Sequence, residues 1–248
     1  MFYALDETNA RTSIDDADKK KKYHCPCCDY PVIVRQGEVN AWHYAHKPGS
    51  ICDAAFTEKT IWHRNWQERF PPECREVINQ DLLGYKRIAD VKINGTTIEF
   101  QKSSIQKDLF DERNRHHLRT SSEVLWVFDC TDKDIELYSK AYEDDGAFED
   151  KWWCKWKYPN RMLAKYIYQT WSKKCSIQDK ETQETFKGVS IFLQINKSAL
   201  LKLMYLKPYR QNVGWFLGKI INIDVFAYEL TCYYRPIEYK PEQLSMII

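Results

Sequence analysis

The chain has 248 residues, of which 44% are hydrophobic and 15% aromatic, a composition typical of a folded protein with one large or two modest domains. Its formal net charge is only +2 at pH 7, so bulk charge does not demand a nucleic-acid partner and any basic surface must be local. No apolar run approaches the length of a membrane span, and residues 1–16 lack the basic region and the apolar region of a secretory signal. We therefore predict a cytoplasmic protein that does not enter the membrane.

Nine cysteines in such a chain favour metal ligation and buried thiols over a disulfide framework, because the cytoplasm keeps thiols reduced. The sequence divides into three zones. We predict a small N-terminal module over residues 1–53, a central core over 54–135 and an aromatic-rich C-terminal region over 136–248.

The first zone contains two pairs of metal-ligating residue types, in a Cys-Pro-Cys-Cys motif and a His-Tyr-Ala-His motif. Two such pairs suit a tetrahedral zinc ion with sulfur and nitrogen donors. A module this small has little apolar core, so a bound metal would supply folding free energy. We predict a structural zinc site with four ligands, Cys25, Cys28, His43 and His46. Cys27 or Cys52 could replace one of them, and reduced cysteines beside incidental histidines are the alternative.

The second zone predicts the element order helix, three strands, helix, strand. Residues 57–70 have a helical pattern that ends at Pro71-Pro72, which cannot continue a helix. Residues 76–80 form a short strand, and two further strands flank Asn94-Gly95 in a hairpin. Residues 107–119 predict a second helix, and 123–129 form a continuous apolar run that is typical of a strand covered on both faces.

The third zone predicts strands over residues 187–195 and 213–230, with a helix over 198–206 between them. Its many tryptophans and tyrosines indicate core packing, and stacking on unpaired bases is the alternative.

The hairpin around Asn94-Gly95 puts acidic side chains together on one face. Pairing Val91 with Ile98 gives a core face made of Ala89, Val91, Ile93, Ile98 and Phe100. Asp90, Glu99 and Gln101 then share the other face. The Cβ atoms of directly paired residues lie about 5 Å apart, so the repulsion between two acids at such positions must be compensated. A divalent cation, a raised pKa or plain solvation would each provide it.

Hydrolysis of a phosphodiester is one use for such a face, because a metal activates water and neutralises the phosphate. Asp90 and Glu99 can hold one or two magnesium ions, and Glu58 on the first helix can add a ligand. The alternative for Glu58 is stabilisation of a helix N-terminus. His63, farther along that helix, approaches the site or packs. Lys92 shares the acidic face, where it contacts phosphate or neutralises an acid.

The second predicted helix is basic. It carries Lys107, Arg113, Arg115 and Arg119 beside two histidines, and arginines on such a helix can hold phosphates. The alternative is a solvated face that is balanced by neighbouring acids. Lys102 lies at the end of the preceding strand, on the face opposite the acids.

Together these pieces resemble the competence protein CoiA-like family. The matching segments are YHCPCC, WHYAHK, TEKTIWHRNW, RIADV, IEFQKSSI, DERNRHH and VLWVFD, in the family's order and covering about residues 1–130. The resemblance implies an α/β fold with a mixed sheet. Its core is restriction-endonuclease-like, of the PD-(D/E)XK class, with a small zinc-binding module before it and an α+β extension after it.

The resemblance also implies metal-dependent cleavage of DNA. Asp90 and Glu99 would bind Mg²⁺ or Mn²⁺, and Glu58 matches a helical acid of that superfamily. Gln101 stands where many members have lysine. A neutral amide can orient water but supplies no positive charge, so Lys92 or Lys102 would supply it.

The predicted function is therefore a Mg²⁺-dependent deoxyribonuclease that acts on incoming or foreign DNA, in competence and recombination or in defence. The candidate DNA contacts are Lys102, Arg113 and Arg115. Two alternatives remain: an inert nucleic-acid-binding protein on a nuclease scaffold, and a scaffold protein that binds a partner through its C-terminal region.

Overall fold

The structure is a computed structural model of the chain. It describes residues 1–38, 40–50, 52, 60–103, 105–131, 135–143, 146–157, 188–206 and 213–232. Among these residues, no helix has both the length and the apolar character that a membrane crossing requires.

The N-terminal part of the chain forms a five-stranded antiparallel sheet in the order β2-β1-β3-β4-β5. Its strands are β1 Tyr3–Asp6, β2 Arg11–Ser13, β3 Tyr23–His24, β4 Pro31–Arg35 and β5 His43–His46. A small core that includes Phe2, Ile14, Tyr23 and Tyr44 packs against it. The chain therefore places the predicted zinc-binding motifs on short strands and their turns.

The rest of the described chain builds a nine-stranded mixed sheet in the order β10-β11-β14-β13-β12-β9-β8-β7-β6. Only the pairs β8–β9 and β9–β12 are parallel. Its strands are β6 Arg75–Gln80, β7 Lys86–Ile93, β8 Thr96–Gln101, β9 Glu123–Asp129, β10 Ile135–Glu143, β11 Gly146–Lys157, β12 Val189–Gln194, β13 Ala199–Leu206 and β14 Val213–Asn222.

Helices cover both faces of this sheet. On one face, α1 Ile61–Gln67 and α3 Ile223–Thr231 pack onto a cluster that includes Trp66, Phe100 and Phe226. On the other, α2 Lys107–Leu118 packs onto a cluster that includes Phe110 and Trp126. Because α2 connects the parallel strands β8 and β9, its inward face lies directly over β8.

The two sheets are joined by polar contacts at β6. Glu76 adopts a left-handed backbone conformation there, and its Oε2 accepts the backbone N–H groups of Phe2 at 2.8 Å and Tyr3 at 3.1 Å. Arg11 donates to the carbonyl of Arg75 at 2.7 Å. The N-terminal sheet thus docks beside the strand that borders the predicted site.

The predicted mixed α/β fold with a mixed sheet is confirmed, and so is the order helix, three strands, helix, strand in α1, β6–β8, α2 and β9. The predicted boundary between residues 135 and 136 falls at the start of β10, inside the large sheet. The division into three zones stays a prediction. So does the partner-binding role of the C-terminal region, of which residues 144–145, 158–187, 207–212 and 233–248 lie outside the described ranges.

Two predictions in the C-terminal region were wrong. Residues 199–206, expected in a helix, form β13, because strands pair with them on both sides and this outweighs the helix propensity of Leu, Lys and Met. Residues 223–230, expected in a strand, lie in α3. Asn222 caps this helix, since its Oδ1 accepts the N–H groups of Asp224 at 2.8 Å and Val225 at 3.2 Å.

Candidate active site and metal centre

The hairpin has the register that the sequence predicts, and it opens into a fork. Val91 lies opposite Ile98 and Ile93 opposite Thr96, with Asn94 and Gly95 in left-handed conformations at the turn. Beyond Val91 and Ile98, β7 continues beside β6 and β8 continues beside β9. Asp90 and Glu99 occupy the next positions, where the two strands separate.

Asp90 is buried and is held toward α1. Its Oδ2 accepts the backbone N–H of Phe100 at 2.9 Å, and the side chain of Gln67 donates to its Oδ1 at 3.3 Å. At the start of the fork, the N–H of Phe100 therefore donates to the Asp90 carboxylate, where a neighbouring strand would otherwise supply the acceptor.

His63 contacts the backbone of the same residue, Phe100. Its Nε2 lies 2.8 Å from the carbonyl oxygen of Phe100, and its Nδ1 lies 2.9 Å from the hydroxyl of Thr60. A carbonyl can only accept, so Nε2 carries a proton and donates to it. The buried His63 thus packs on the fork and fixes its backbone.

Glu99 is buried toward α2, at 1% exposure. Its Oε2 lies 2.7 Å from a guanidinium nitrogen of Arg113. Its Oε1 lies 3.0 Å from Nε2 of His117, but the two are not aligned for a hydrogen bond, and Oε1 has no hydrogen-bond partner in the described part of the chain. Asp90 and Glu99 therefore have their partners on two different helices.

Beneath Glu99 lies a polar network that sequence reasoning missed. Lys92 donates to Oδ1 of Asn79 at 2.7 Å and to the carbonyl of Thr120 at 3.0 Å, and burial lowers the pKa of its ammonium group. Asn79 Nδ2 lies 2.9 Å from Nδ1 of His117. Arg113 and His117 are four residues apart on α2 and so share its inward face, which is the signal that could have grouped them.

Three of the remaining predicted residues make contacts of their own, namely Gln101, Lys102 and Arg113. Gln101 donates to the carbonyl of Ser103 at 2.9 Å, and Lys102 lies 3.5 Å from Asp129. Arg115 is exposed on α2, whereas Arg113 is buried and its guanidinium lies 5.8 Å from the centre of the Trp126 ring. Glu58 lies outside the described residues.

The N-terminal sheet brings four metal-ligating side chains together. The ligand atoms of Cys25, Cys28, His46 and Cys52 all lie within 4.8 Å of one another, and Cys28 Sγ is 3.4 Å from His46 Nε2. Zn–S bonds of about 2.3 Å and Zn–N bonds of about 2.0 Å in a tetrahedron place ligand atoms at roughly this spacing. In the described ranges no other group of three or more such side chains is close enough to share an ion.

The fourth member of this cluster differs from the predicted set, because Cys52 stands where His43 was expected. His43 and His46 are three residues apart on β5, and side chains at odd spacing on a strand point to opposite faces. His43 Nδ1 lies 2.8 Å from the carbonyl of Ala41, outside the cluster. Cys27 is likewise outside, with its thiol 3.5 Å from the carbonyl of Lys86.

The electrostatics of the cluster suit a cation. Contact with Cys52 and burial raise the pKa of the Cys25 thiol, and burial raises that of Cys28. Burial lowers the pKa of His46, which favours its neutral, ligating form. A dication would supply the missing positive charge and stabilise the thiolates, so this donor set fits zinc.

These observations define a mixed α/β protein whose N-terminal module carries a cluster of three cysteines and one histidine. Residues 6–55 match the family model described as competence protein CoiA, N-terminal domain. Residues 84–208, more than half of the chain, match competence protein CoiA, nuclease-like domain, and the chain therefore belongs to the competence protein CoiA family. No curated protein and no solved structure matches it.

Proposed function

We propose that this protein is a metal-dependent DNA nuclease of the PD-(D/E)XK class, which acts in the cytoplasm on incoming or foreign DNA. The nuclease-like family match supports this, as does the element order around the β7–β8 fork. The observation that carries the proposal is the buried Oε1 of Glu99, which has no hydrogen-bond partner in the described residues. Buried polar atoms are rarely left so, and a carboxylate oxygen is the ligand that Mg²⁺ or Mn²⁺ prefers.

In this proposal Asp90 and Glu99 hold the metal, with Glu58 as a further ligand. The bound metal activates a water molecule and neutralises charge on the phosphate. Gln101 orients water through its amide, and Lys102 and Arg115, which are both exposed, contact the DNA backbone. His63 holds the backbone of Phe100 and does not touch the substrate.

We further propose that Cys25, Cys28, His46 and Cys52 bind a structural zinc ion. Four protein ligands leave no open position for a substrate, so this zinc supports the N-terminal module and takes no part in hydrolysis. Thiol ligands stay available in the reducing cytoplasm.

One observation favours a second candidate, a DNA-binding protein without catalytic activity. Arg113 already neutralises Glu99 in a buried ion pair, which reduces the need for a cation at that carboxylate. In an inert protein this pair would be a permanent part of the core.

The deciding experiment is cleavage of single-stranded and duplex DNA in Mg²⁺, Mn²⁺ or EDTA. We expect metal-dependent cutting by the wild type that is lost in Asp90→Asn and Glu99→Gln, with DNA affinity retained. Asp108→Asn, which neutralises an exposed acid on α2, is the matched control and should cut normally. Binding without cutting by the wild type in every metal would instead support the inert candidate.

A further inference from the structure

A chain of polar side chains runs through the interior from β7 to β8 and ends at Glu99. We call Lys92, Asn79 and His117 the relay. Asn79 and His117 are buried, and Lys92 is partly buried. Their contacts leave only one consistent placement of hydrogen atoms.

The placement begins at Lys92, because an ammonium group can only donate. Its Nζ lies 2.7 Å from the side chain of Asn79, so the Asn79 oxygen must face Lys92. The amide nitrogen of Asn79 must then point the other way. There it lies 3.2 Å from the hydroxyl of Thr97 and 2.9 Å from Nδ1 of His117.

The amide nitrogen in turn determines the tautomer of His117. Since Asn79 Nδ2 donates, Nδ1 of His117 must accept and carries no proton. A neutral ring then has its proton on Nε2, which lies 3.0 Å from Glu99 Oε1. The opposite tautomer would leave an unprotonated, electron-rich nitrogen 3.0 Å from a carboxylate oxygen in a buried place, where repulsion is poorly screened.

We propose that the relay holds the His117 proton on Nε2 and thereby orients the Glu99 carboxylate between His117 and Arg113. Lys92, Asn79 and His117 are thus positioning residues, and Lys92 acts through Asn79 and does not contact phosphate. The benefit to catalysis rests on the proposed function, in which Glu99 binds metal. The orientation of Glu99 by the relay does not rest on it.

The first test reads the tautomer directly, from long-range ¹H–¹⁵N spectra of the histidine rings. The wild type should show His117 protonated on Nε2 alone. In Asn79→Asp the new carboxylate has no proton to donate, so we expect a proton on Nδ1 of His117. His116 is the internal control, because its Nε2 contacts the backbone carbonyl of residue 79, which the substitution leaves in place. A His117 that keeps its proton on Nε2 alone in Asn79→Asp would overturn the proposal.

The second test measures Mn²⁺ affinity by calorimetry, without substrate. Partners of metal ligands typically contribute 10- to 100-fold in affinity, so Asn79→Leu and Lys92→Met should weaken Mn²⁺ binding by about 10-fold or more. Asp108→Asn, at an exposed site on α2 outside the relay, is the control and should bind normally.

The outcomes separate the two proposals. Wild-type binding that is unchanged in Asn79→Leu and Lys92→Met, but lost in Glu99→Gln, would refute the positioning role. A wild type that binds no Mn²⁺ and cuts no DNA would refute the proposed function, and the tautomer spectra would still decide whether the relay orients Glu99.

Discussion

Arg113 and Glu99 form an ion pair of 2.7 Å whose side chains are only 7% and 1% exposed. Such pairs are costly to break from one side, because the remaining charge is buried without a partner. The sequence predicts that Arg113 contacts DNA and that Glu99 binds metal, and the ion pair joins the two residues. The stability and metal response of a variant that lacks Arg113 therefore test both predicted roles.

The first prediction concerns the stability of this pair. Arg113→Leu should lower the free energy of unfolding by about 3 kcal/mol, because Glu99 is left without its counter-charge. Denaturation by urea measures this. Arg115→Leu, an exposed site on the same helix, should change stability by less than about 0.5 kcal/mol. If Glu99 binds metal, added Mn²⁺ should stabilise Arg113→Leu more than the wild type. An equal gain in stability in both proteins would count against a Glu99 carboxylate that is shared by Arg113 and the metal.

The second prediction concerns the zinc ligands. The purified protein should contain about one zinc per chain, and Cys52→Ser should lose most of it, because a tetrahedral site with three ligands binds weakly. His43→Gln and Cys27→Ser are the matched controls, since both side chains lie outside the cluster, and both should keep the metal. Elemental analysis after dialysis measures this. Loss of zinc in His43→Gln with retention in Cys52→Ser would reverse the assignment.

The third prediction concerns pH and follows from His116. Burial lowers its pKa, with the charge of Arg87 acting in the same direction and the carbonyl of Asn79 and the carboxylate of Asp81 opposing. The unfolded chain therefore binds a proton more readily than the folded protein. Stability should fall as the pH drops below about 6.5, the ordinary value for histidine, toward the lower folded pKa.

The matched variant for this effect is His116→Gln, whose amide stays neutral and can still donate to the carbonyl of Asn79. Urea denaturation of both proteins between pH 7.5 and 5, roughly the range in which histidine titrates, gives the comparison. The loss of stability on acidification should be smaller in the variant. Parallel curves for the two proteins would show that His116 takes up its proton equally in the folded and unfolded states.

The fourth prediction separates positioning from catalysis at His63. His63→Leu leaves the carbonyl of Phe100 without this donor, and an unsatisfied buried group costs about 1–3 kcal/mol. We expect that loss of stability together with faster amide exchange around Phe100. DNA cleavage below the unfolding transition should fall far less than in Glu99→Gln. A well-folded His63→Leu protein that has no activity would make His63 catalytic.

The sequence alone determined the local features of the site. Asn94-Gly95 and the alternation around it fixed the hairpin register, because both residues tolerate left-handed conformations and a shift by one residue would expose the apolar face. Helix and strand periodicity gave the element order of the core. The Cys-Pro-Cys-Cys turn and the histidine motif supplied three members of the metal cluster.

The tertiary structure alone decided which side chains meet. Cys52 joins the cluster and His43 does not, because the strand turns the two histidines to opposite faces. Residues 199–206 became a strand because neighbouring strands pair with them. Arg113, which was expected to contact DNA, lies on the inward face of α2 and pairs with Glu99 instead. Turn chemistry and periodicity act over a few residues, whereas the partner of a buried polar group is set by elements that are distant in sequence and packed together only in the folded chain.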